Sequence, residues 1–454
     1  MMYELNSRGE KKQFYRMVTA LILPMAIQNL INVGVTSADV IMLGKVGEVA
    51  LSASSLAGQA LFIMTLIFFG LTSGAAVLTA QYWGKKDLRS VEQVLGISMS
   101  IALCVAALFT IAALVFPRQI MLIFTTEEPV IEAGISYLRI IGFSYVFIGA
   151  TVVYLNIMRS VERVIISTIV YTVSLVVNVM LNAIFIFGLL GFPAMGIQGA
   201  ALATLIARII EFIIVVFYAS KINRQVCFRI KNLFVKNKLL WKDFAKYAFP
   251  VLLNELFWGT GISSVTAIIG HMGSAMVAAN SVAQVVRQLA MVLSFGVANA
   301  SAIVIGKSLG EEKPEFAKLY GSRLVKLSLI LGIAGAGVIL LISPIVRGNL
   351  ELGEQAGTYL RMMLIVMAVY VIAQSYNTTV IVGIFRGGGD TKFGLIIDIV
   401  FLWGLAIAAG WLAAFVWKLS PTFVYILLTC DEAAKIPLTF WRYRQYKWIK
   451  NVTR

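Results

Sequence analysis

Twelve apolar runs, each long enough to form a helix across about 30 Å of hydrocarbon, constrain this chain more than any other feature. They lie near Val18 to Leu43, Leu51 to Ala80, Val91 to Phe116, Ile131 to Met158, Val164 to Leu189 and Gly196 to Ala219. Six more follow near Phe244 to Ile269, Met276 to Ile305, Leu319 to Ile345, Tyr359 to Ile384, Phe393 to Val416 and Thr422 to Trp441. One crossing takes about 20 helical residues, and lipid cannot satisfy an open backbone edge, so runs of this length form a helical bundle rather than a barrel. The 454 residues are 59% hydrophobic and 13% charged, with a mean hydropathy of +0.88. Those values exclude an ordinary soluble domain. The first run is too long for a signal-peptide core and no small-residue cleavage site follows it, so it is expected to remain as the first span. Cys104, Cys227 and Cys430 are odd in number and far apart, a pattern of apolar fillers rather than of a disulfide framework or metal cluster.

The net charge of +16 has a topological explanation. Arg8, Lys11, Lys12 and Arg16 precede the first run, and every second loop is basic: Lys85, Lys86 and Arg89; Arg159 and Arg163; then Lys221 to Lys246. The alternation continues with Lys307, Lys313 and Lys318, with Arg386 and Lys392, and with the tail from Arg442 to Arg454, whereas the intervening loops offer little beyond Lys45, Arg118, Arg347 and Lys418. By the positive-inside rule both termini are expected in the cytoplasm, the protein being multi-pass in the inner membrane. The basic surplus therefore implies no nucleic-acid partner; the partner is the lipid bilayer.

The chain also repeats itself. At a constant offset of 226, Pro24 meets Pro250, Gly44 meets Gly270, Gly47 meets Gly273, Ala53 meets Ala279, Ala57 meets Ala283, Gly70 meets Gly296 and Gly84 meets Gly310. The expected fold class is an all-α membrane protein of twelve transmembrane helices in two six-helix bundles, related by a pseudo-two-fold axis along the membrane normal. Residues 1–220 form the first bundle, 221–243 a basic cytoplasmic linker with no site in it, and 244–454 the second bundle with a short basic tail.

Ionisable groups inside spans cost about 2.5 to 3.5 kcal/mol on insertion scales, so each needs a partner or a task. Asp39 lies near the outer end of the first run, after Gln28, Asn29, Asn32, Thr36 and Ser37. Away from fixed cations, such a carboxylate can exchange a proton near physiological pH or hold a monovalent cation. Asn178 and Asn182, four apart on one face of the fifth run, reach a similar depth and offer oxygen ligands; interhelical hydrogen bonding is the structural alternative. Glu255 sits about 16 Å along its helix, near the midplane, flanked by Asn254 and Trp258. Arg287 on the next run has a similar depth, which suggests a buried Glu255–Arg287 pair, structural or remade during transport. Asp398 lies about 10 Å in from the cytoplasmic side. Arg208 with Glu211, and Asp431 with Lys435, have the spacing of self-neutralising helical pairs, while His271 and Arg139 belong near the outer surface. The glycines at 387–389 follow no strand, and no Walker lysine or zinc-ligand spacing occurs, so neither an enzyme nor nucleotide-driven transport is expected and no cofactor is needed.

Five segments, in order, resemble the multidrug and toxic compound extrusion (MATE) family over almost the whole chain. They are Pro24, Asp39 and Gly44; Gln81, Tyr82, Trp83 and Gly84 after the second run; Asn178 through Asn182; Gly196 through Thr204; and Arg386 through Lys392. The resemblance implies a V-shaped pair of bundles exchanging cytosolic organic cations for H+ or Na+. It places the coupling ion at Asp39, Asn178, Asn156 and Thr204, to which the spacing on the fifth run adds Asn182, with Na+ at Asp39 if the ion is a metal. Where many members carry a second aspartate on the fifth helix this chain has Asn182, and the tenth-helix aspartate of some members is replaced near Ser375 or Asn377. Glu255, Asp398, Trp258 and Arg287 form the expected substrate or second ion site. Cationic, amphipathic substrates would bind an apolar cavity between the halves, in a protein acting as a monomer. A lipid-linked precursor flippase of the same superfamily is the alternative; it predicts a central cavity rich in Arg and Lys, and only Arg139, Arg208, Arg287 and Lys435 are membrane-embedded. A non-transporting receptor or scaffold finds no signalling domain here. The repeat is unequal in its acids: Asp39 aligns with Val265, and Glu255 with Asn29.

Overall fold

The computed structural model describes residues 8–349 and 353–453, so Arg454 of the basic tail lies outside the described residues. The described chain is helical: α1 Arg8–Val46, α2 Glu48–Gly84, α3 Leu88–Val115, α4 Pro117–Leu122, α5 Glu128–Ile141, α6 Ser144–Ser160, α7 Val164–Phe187, α8 Gly196–Phe217, α9 Lys238–His271, α10 Ser274–Gly310, α11 Pro314–Asn349, α12 Glu354–Thr378, α13 Thr391–Asp398, α14 Ala408–Trp411, α15 Pro421–Leu428 and α16 Asp431–Arg444. Wide π-helical turns at Thr379–Phe385, Ile399–Ile407 and Leu412–Val416 extend α12 and join α13 to α14 and beyond. Among the described residues ten helices are long and apolar enough to cross a membrane; counting the bent pair α5–α6, with its 54° kink, makes eleven. Leu108, Leu190 and Leu341 are more than two-thirds exposed, as lipid-facing side chains are.

The last expected run, Thr422 to Trp441, is two short helices instead. α15 ends at Leu428, Thr429 turns its hydroxyl back to the Tyr425 carbonyl at 2.8 Å, and α16 begins at Asp431 with Asp431 and Glu432 in its first turn. The break creates a helix N-terminus where two carboxylates stand, an arrangement that the helix dipole favours. The fourth run bends for a related reason: Gly142 follows α5 and packs against Ala113 and Leu114 with no room for a side chain.

The repeat is visible in the elements. α2 and α10 are both 37 residues long and their bounds differ by the same offset of 226. Each follows a glycine at positive φ, Gly47 at 143° and Gly273 at 115°, a region that side chains rarely tolerate.

The chain divides into two compact units. One comprises residues 1–26, 76–86 and 245–454. Its core includes Met276, Ala279 and Ala283 of α10, Ile339 of α11, Leu360, Met363 and Met367 of α12, and Val424, Tyr425 and Leu428 of α15. Within it the end of α2 crosses α10 at backbone distance, because a side chain at Gly84 would strike the Lys307 carbonyl and one at Gly310 the Gln81 carbonyl. Gln81 and Lys307 are themselves repeat equivalents. Gln81 thus lies inside α2 rather than after it, and donates to the carbonyls of Gly387 at 3.1 Å and Lys450 at 3.0 Å.

The second unit comprises residues 27–75 and 87–244. Small residues set its helix contacts: Gly199 of α8 lies on the backbone of Phe185 in α7, and Gly149 of α6 on Ala102 and Ala106 of α3. The linker departs from a solvated tether. The Cys227 N–H donates to Glu92 at 2.9 Å, Ser100 donates to the Leu233 carbonyl at 2.6 Å, and the Asn232 backbone rests where a side chain at Gly96 would be.

Candidate coupling-ion and substrate sites

In the second unit α1, α7 and α8 bring four of the expected coupling-ion residues together. The Asn182 amide donates to Asp39 Oδ1 at 2.5 Å and to Asn178 Oδ1 at 3.2 Å, and the Asn178 amide donates to the Thr204 hydroxyl at 3.2 Å. Asn178 and Asn182 are buried, with side chains 2% and 0% exposed. The spacing of four residues on α7 stacks the two amides on one face, and Asp39 meets the upper one. Asn182 Oδ1 is itself buried without a hydrogen-bond partner.

Two expectations need correction. Asp39 is not remote from cations: Arg208 lies within electrostatic range of it, tied to Glu211 by a 2.6 Å ion pair. The spacing of three residues on α8 forms that pair, as the sequence indicates, but the guanidinium also serves the Asp39 group. Asn156 is not bonded to the group; its amide oxygen accepts from Arg159, which also donates to Gln28 Oε1 at 3.4 Å. Gln28, midway along α1, in turn donates to the Thr168 hydroxyl at 2.8 Å, near the start of α7 and away from Asn178 and Asn182.

In the first unit the expected acid site is rebuilt around different cations. Glu255 pairs with Arg386 at 2.7 Å, both buried, and not with Arg287. Arg287 donates instead to Gln284 at 2.8 Å and Gln374 at 3.0 Å. Arg386 directly follows the π-helical turn Thr379–Phe385, and its guanidinium reaches a carboxylate 131 residues earlier, which spacing alone does not reveal. Asp398 accepts from the Asn254 amide at 2.9 Å and pairs with Lys435 at 3.0 Å. Trp258 is half-buried against the hydrophobic core. Lys435 meets Asp431 at 3.0 Å, as its spacing of four predicts, and also Glu432 at 3.3 Å. His271 is exposed at the end of α9, with Nδ1 at 2.8 Å from the Ala267 carbonyl.

Sequence reasoning assigned no task to Asp431, Glu432 and Lys435, and saw Arg386 only as part of a loop motif. The helical spacing of the first three was a signal; the convergence of Asp398 and Asn254 on them from other helices was not.

The MatE family model matches residues 24–184 and 250–412, most of the chain in two successive copies. The chain belongs to the MatE family. The two matched segments begin at Pro24 and Pro250, the prolines that open the repeat. Similar curated proteins of this transporter family include the "Probable multidrug resistance protein YoeA" of Bacillus subtilis, 22% identical over 99% of this chain and 98% of that protein. A "Probable multidrug resistance protein NorM" of Mesorhizobium japonicum is 26% identical over 95% of this chain and 94% of its own length. Among solved structures, an outward-facing multidrug resistance MATE transporter of the MOP superfamily has a TM-score of 0.85 at 21% identity, covering 96% of this chain and 97% of that one. A MOP superfamily transporter from Pyrococcus furiosus, described as having a binding pocket of reverse polarity, has a TM-score of 0.86 at 20% identity, covering 94% and 95%. The chain therefore has the twelve-helix fold of a non-enzymatic MATE transporter in a membrane.

Proposed function

We propose that this MATE transporter is a secondary antiporter that exports cationic, amphipathic drugs or toxic compounds in exchange for an ion bound at Asp39. The observation that carries the reading is the Asp39–Asn182 hydrogen bond, joined through the buried Asn178 to Thr204 where α1, α7 and α8 meet. The relatives named as probable multidrug resistance proteins support the substrate class. Of H+ and Na+, the geometry favours the proton. Asn182 turns a donor rather than an oxygen toward Asp39, and one carboxylate among amides and a hydroxyl is a poor cage for a metal ion but a sufficient proton acceptor.

Deprotonated, Asp39 holds α1 to α7 through Asn182; protonated, it accepts more weakly and frees α1 to rearrange. The ion drives transport only because the two arrangements bind it differently. Glu255 becomes available to a cationic substrate when its pair with Arg386 opens. The remaining features of the proposal are the six-helix halves 1–220 and 244–454 joined by 221–243, both termini in the cytoplasm, an inner-membrane location and function as a monomer. In everted vesicles, Asp39→Asn is expected to insert at the wild-type level and to lose ion-driven ethidium efflux. Full efflux in that variant contradicts the role given to Asp39.

A further inference from the structure

The linker borders two cavities of opposite character, both within the second unit. The first, of 450 Å³, is lined by Arg89, Glu92 and Gln93 of α3 and by Arg229, Lys231 and Asn232 of the linker. The second, of 220 Å³, is apolar, and its walls include Met99 and Leu103 of α3, Phe147 of α6, Val215 of α8 and the linker's Phe228 and Leu233. Local contacts seat the linker there: the Asn232 backbone rests on Gly96, Ser100 donates to the Leu233 carbonyl at 2.6 Å, and the Cys227 N–H donates to Glu92 at 2.9 Å. Glu92, Met99 and Leu103 are spaced by seven and four residues, which is one face of a helix. The apolar cavity therefore lies on the same side of α3 as the basic one, about 10 Å further along.

The first cavity carries a surplus of positive charge, three cations against the single carboxylate of Glu92. Asp87, close by in the sequence, is engaged elsewhere, accepting from the Ser90 N–H at 3.1 Å and the Ser90 hydroxyl at 2.6 Å. Among the described residues no acid pairs with Arg89, Arg229 or Lys231. Guanidinium and ammonium groups converging on one recess suit the oxygens of a phosphate. Water and salt screen exposed cations, so charge alone names no occupant. The apolar surroundings do. Phe234 is 77% exposed and Ile222 57% exposed, on a segment that also carries Lys221, Arg224, Arg229, Lys231 and Lys236. Apolar side chains interleaved with basic ones suit a bilayer interface, and α3, long and apolar enough to cross the membrane, begins beside this segment at Leu88. The 220 Å³ cavity is smaller than the roughly 300–1,000 Å³ that drug-sized ligands fill, yet its apolar walls accept a stretch of acyl chain.

We propose that α3 and the linker form a binding site for an anionic phospholipid of the surrounding membrane, its phosphate held by Arg89, Arg229 and Lys231 and an acyl chain lying in the apolar cavity. The bound lipid ties the linker to the bilayer that α3 crosses. This site is independent of the antiport reading and shares no residue with the Asp39 group.

Titration of the purified full-length protein in a neutral detergent, with bound lipid counted by native mass spectrometry, tests it. Wild type is expected to hold dioleoyl phosphatidylglycerol more tightly than dioleoyl phosphatidylcholine. A basic side chain at an anionic surface contributes about fivefold in affinity, so Arg89→Gln should weaken phosphatidylglycerol binding about fivefold and the double variant Arg229→Gln with Lys231→Gln roughly 25-fold. Phosphatidylcholine binding should not change in either. All three side chains are exposed, so both variants are expected to keep the wild-type unfolding midpoint. Equal affinity for the two lipids overturns the proposal. So does an equal loss in Lys236→Gln with Lys238→Gln, which removes the same charge nearby but outside the cavity, since binding is then diffuse attraction. Competition by dihexanoyl phosphatidylglycerol or inorganic phosphate as effective as that of the long-chain lipid, at matched ionic strength, overturns the lipid occupant in favour of a free anion.

Discussion

At the scale of single residues, partners decide what each buried charge can do. Glu255 is neutralised by Arg386 whereas Asp39 is held by an amide, and the proposed antiport needs the second to keep its charge exchangeable. Removing one member of a buried pair leaves the other uncompensated, at about 3–5 kcal/mol. Glu255→Gln is accordingly expected to lower unfolding stability in detergent by about that amount. The double variant Glu255→Gln with Arg386→Met should recover most of it, and an additive loss in the double variant counts against the pair. Asn182 carries a second expectation. Asn182→Asp places a second carboxylate beside Asp39, which adds the charge and oxygen a sodium ion seeks. Ethidium efflux from vesicles should then gain dependence on a sodium gradient, and unchanged ion preference would show that Asn182 lies outside the ion's reach.

At the scale of elements, the α2–α10 crossing is the most demanding contact in the fold. Gly84 and Gly310 each place a missing side chain against the partner's backbone, and the two contacts are repeat equivalents. Backbone cannot yield as a flexible side chain does, so Gly310→Val is expected to cost about 1–3 kcal/mol. A thermal-shift measurement with an unchanged midpoint would mean that the helices separate freely there. The crossing also marks what the sequence made legible. The offset of 226 and the presence of α2 and α10 were readable, because lipid imposes length and hydrophobicity, but the apolar runs of 30 residues fell short of the 37-residue helices, whose polar ends carry no such signal. The pairing of Asp39 with Asn182 was readable from depth and from the spacing of α7. Glu255 with Arg386 was not, because Arg287 reads at a similar depth and Arg386 reads as part of a basic cytoplasmic loop, while the structure buries it. The break between α15 and α16 falls inside a run read as a single span, although Asp431, Glu432, Lys435 and Pro437 interrupt its apolar residues.

At the scale of the whole molecule, the repeat supplies two copies of a helical scaffold, and selection has placed the acids differently in each. The first carries Asp39 among amides and an Arg208–Glu211 pair; the second carries a paired glutamate and a lysine among three carboxylates. An antiporter needs such asymmetry, since an ion and its counter-substrate must not be bound alike. The most direct test of this account counts ions against substrate in proteoliposomes holding the purified protein, with a pH gradient or a sodium gradient imposed separately. The account predicts that a pH gradient drives ethidium against its own concentration gradient, with protons moving the opposite way, and that Asp39→Asn abolishes both fluxes together. Ethidium accumulation that proceeds equally with no gradient, or that persists at the wild-type rate in Asp39→Asn, contradicts it.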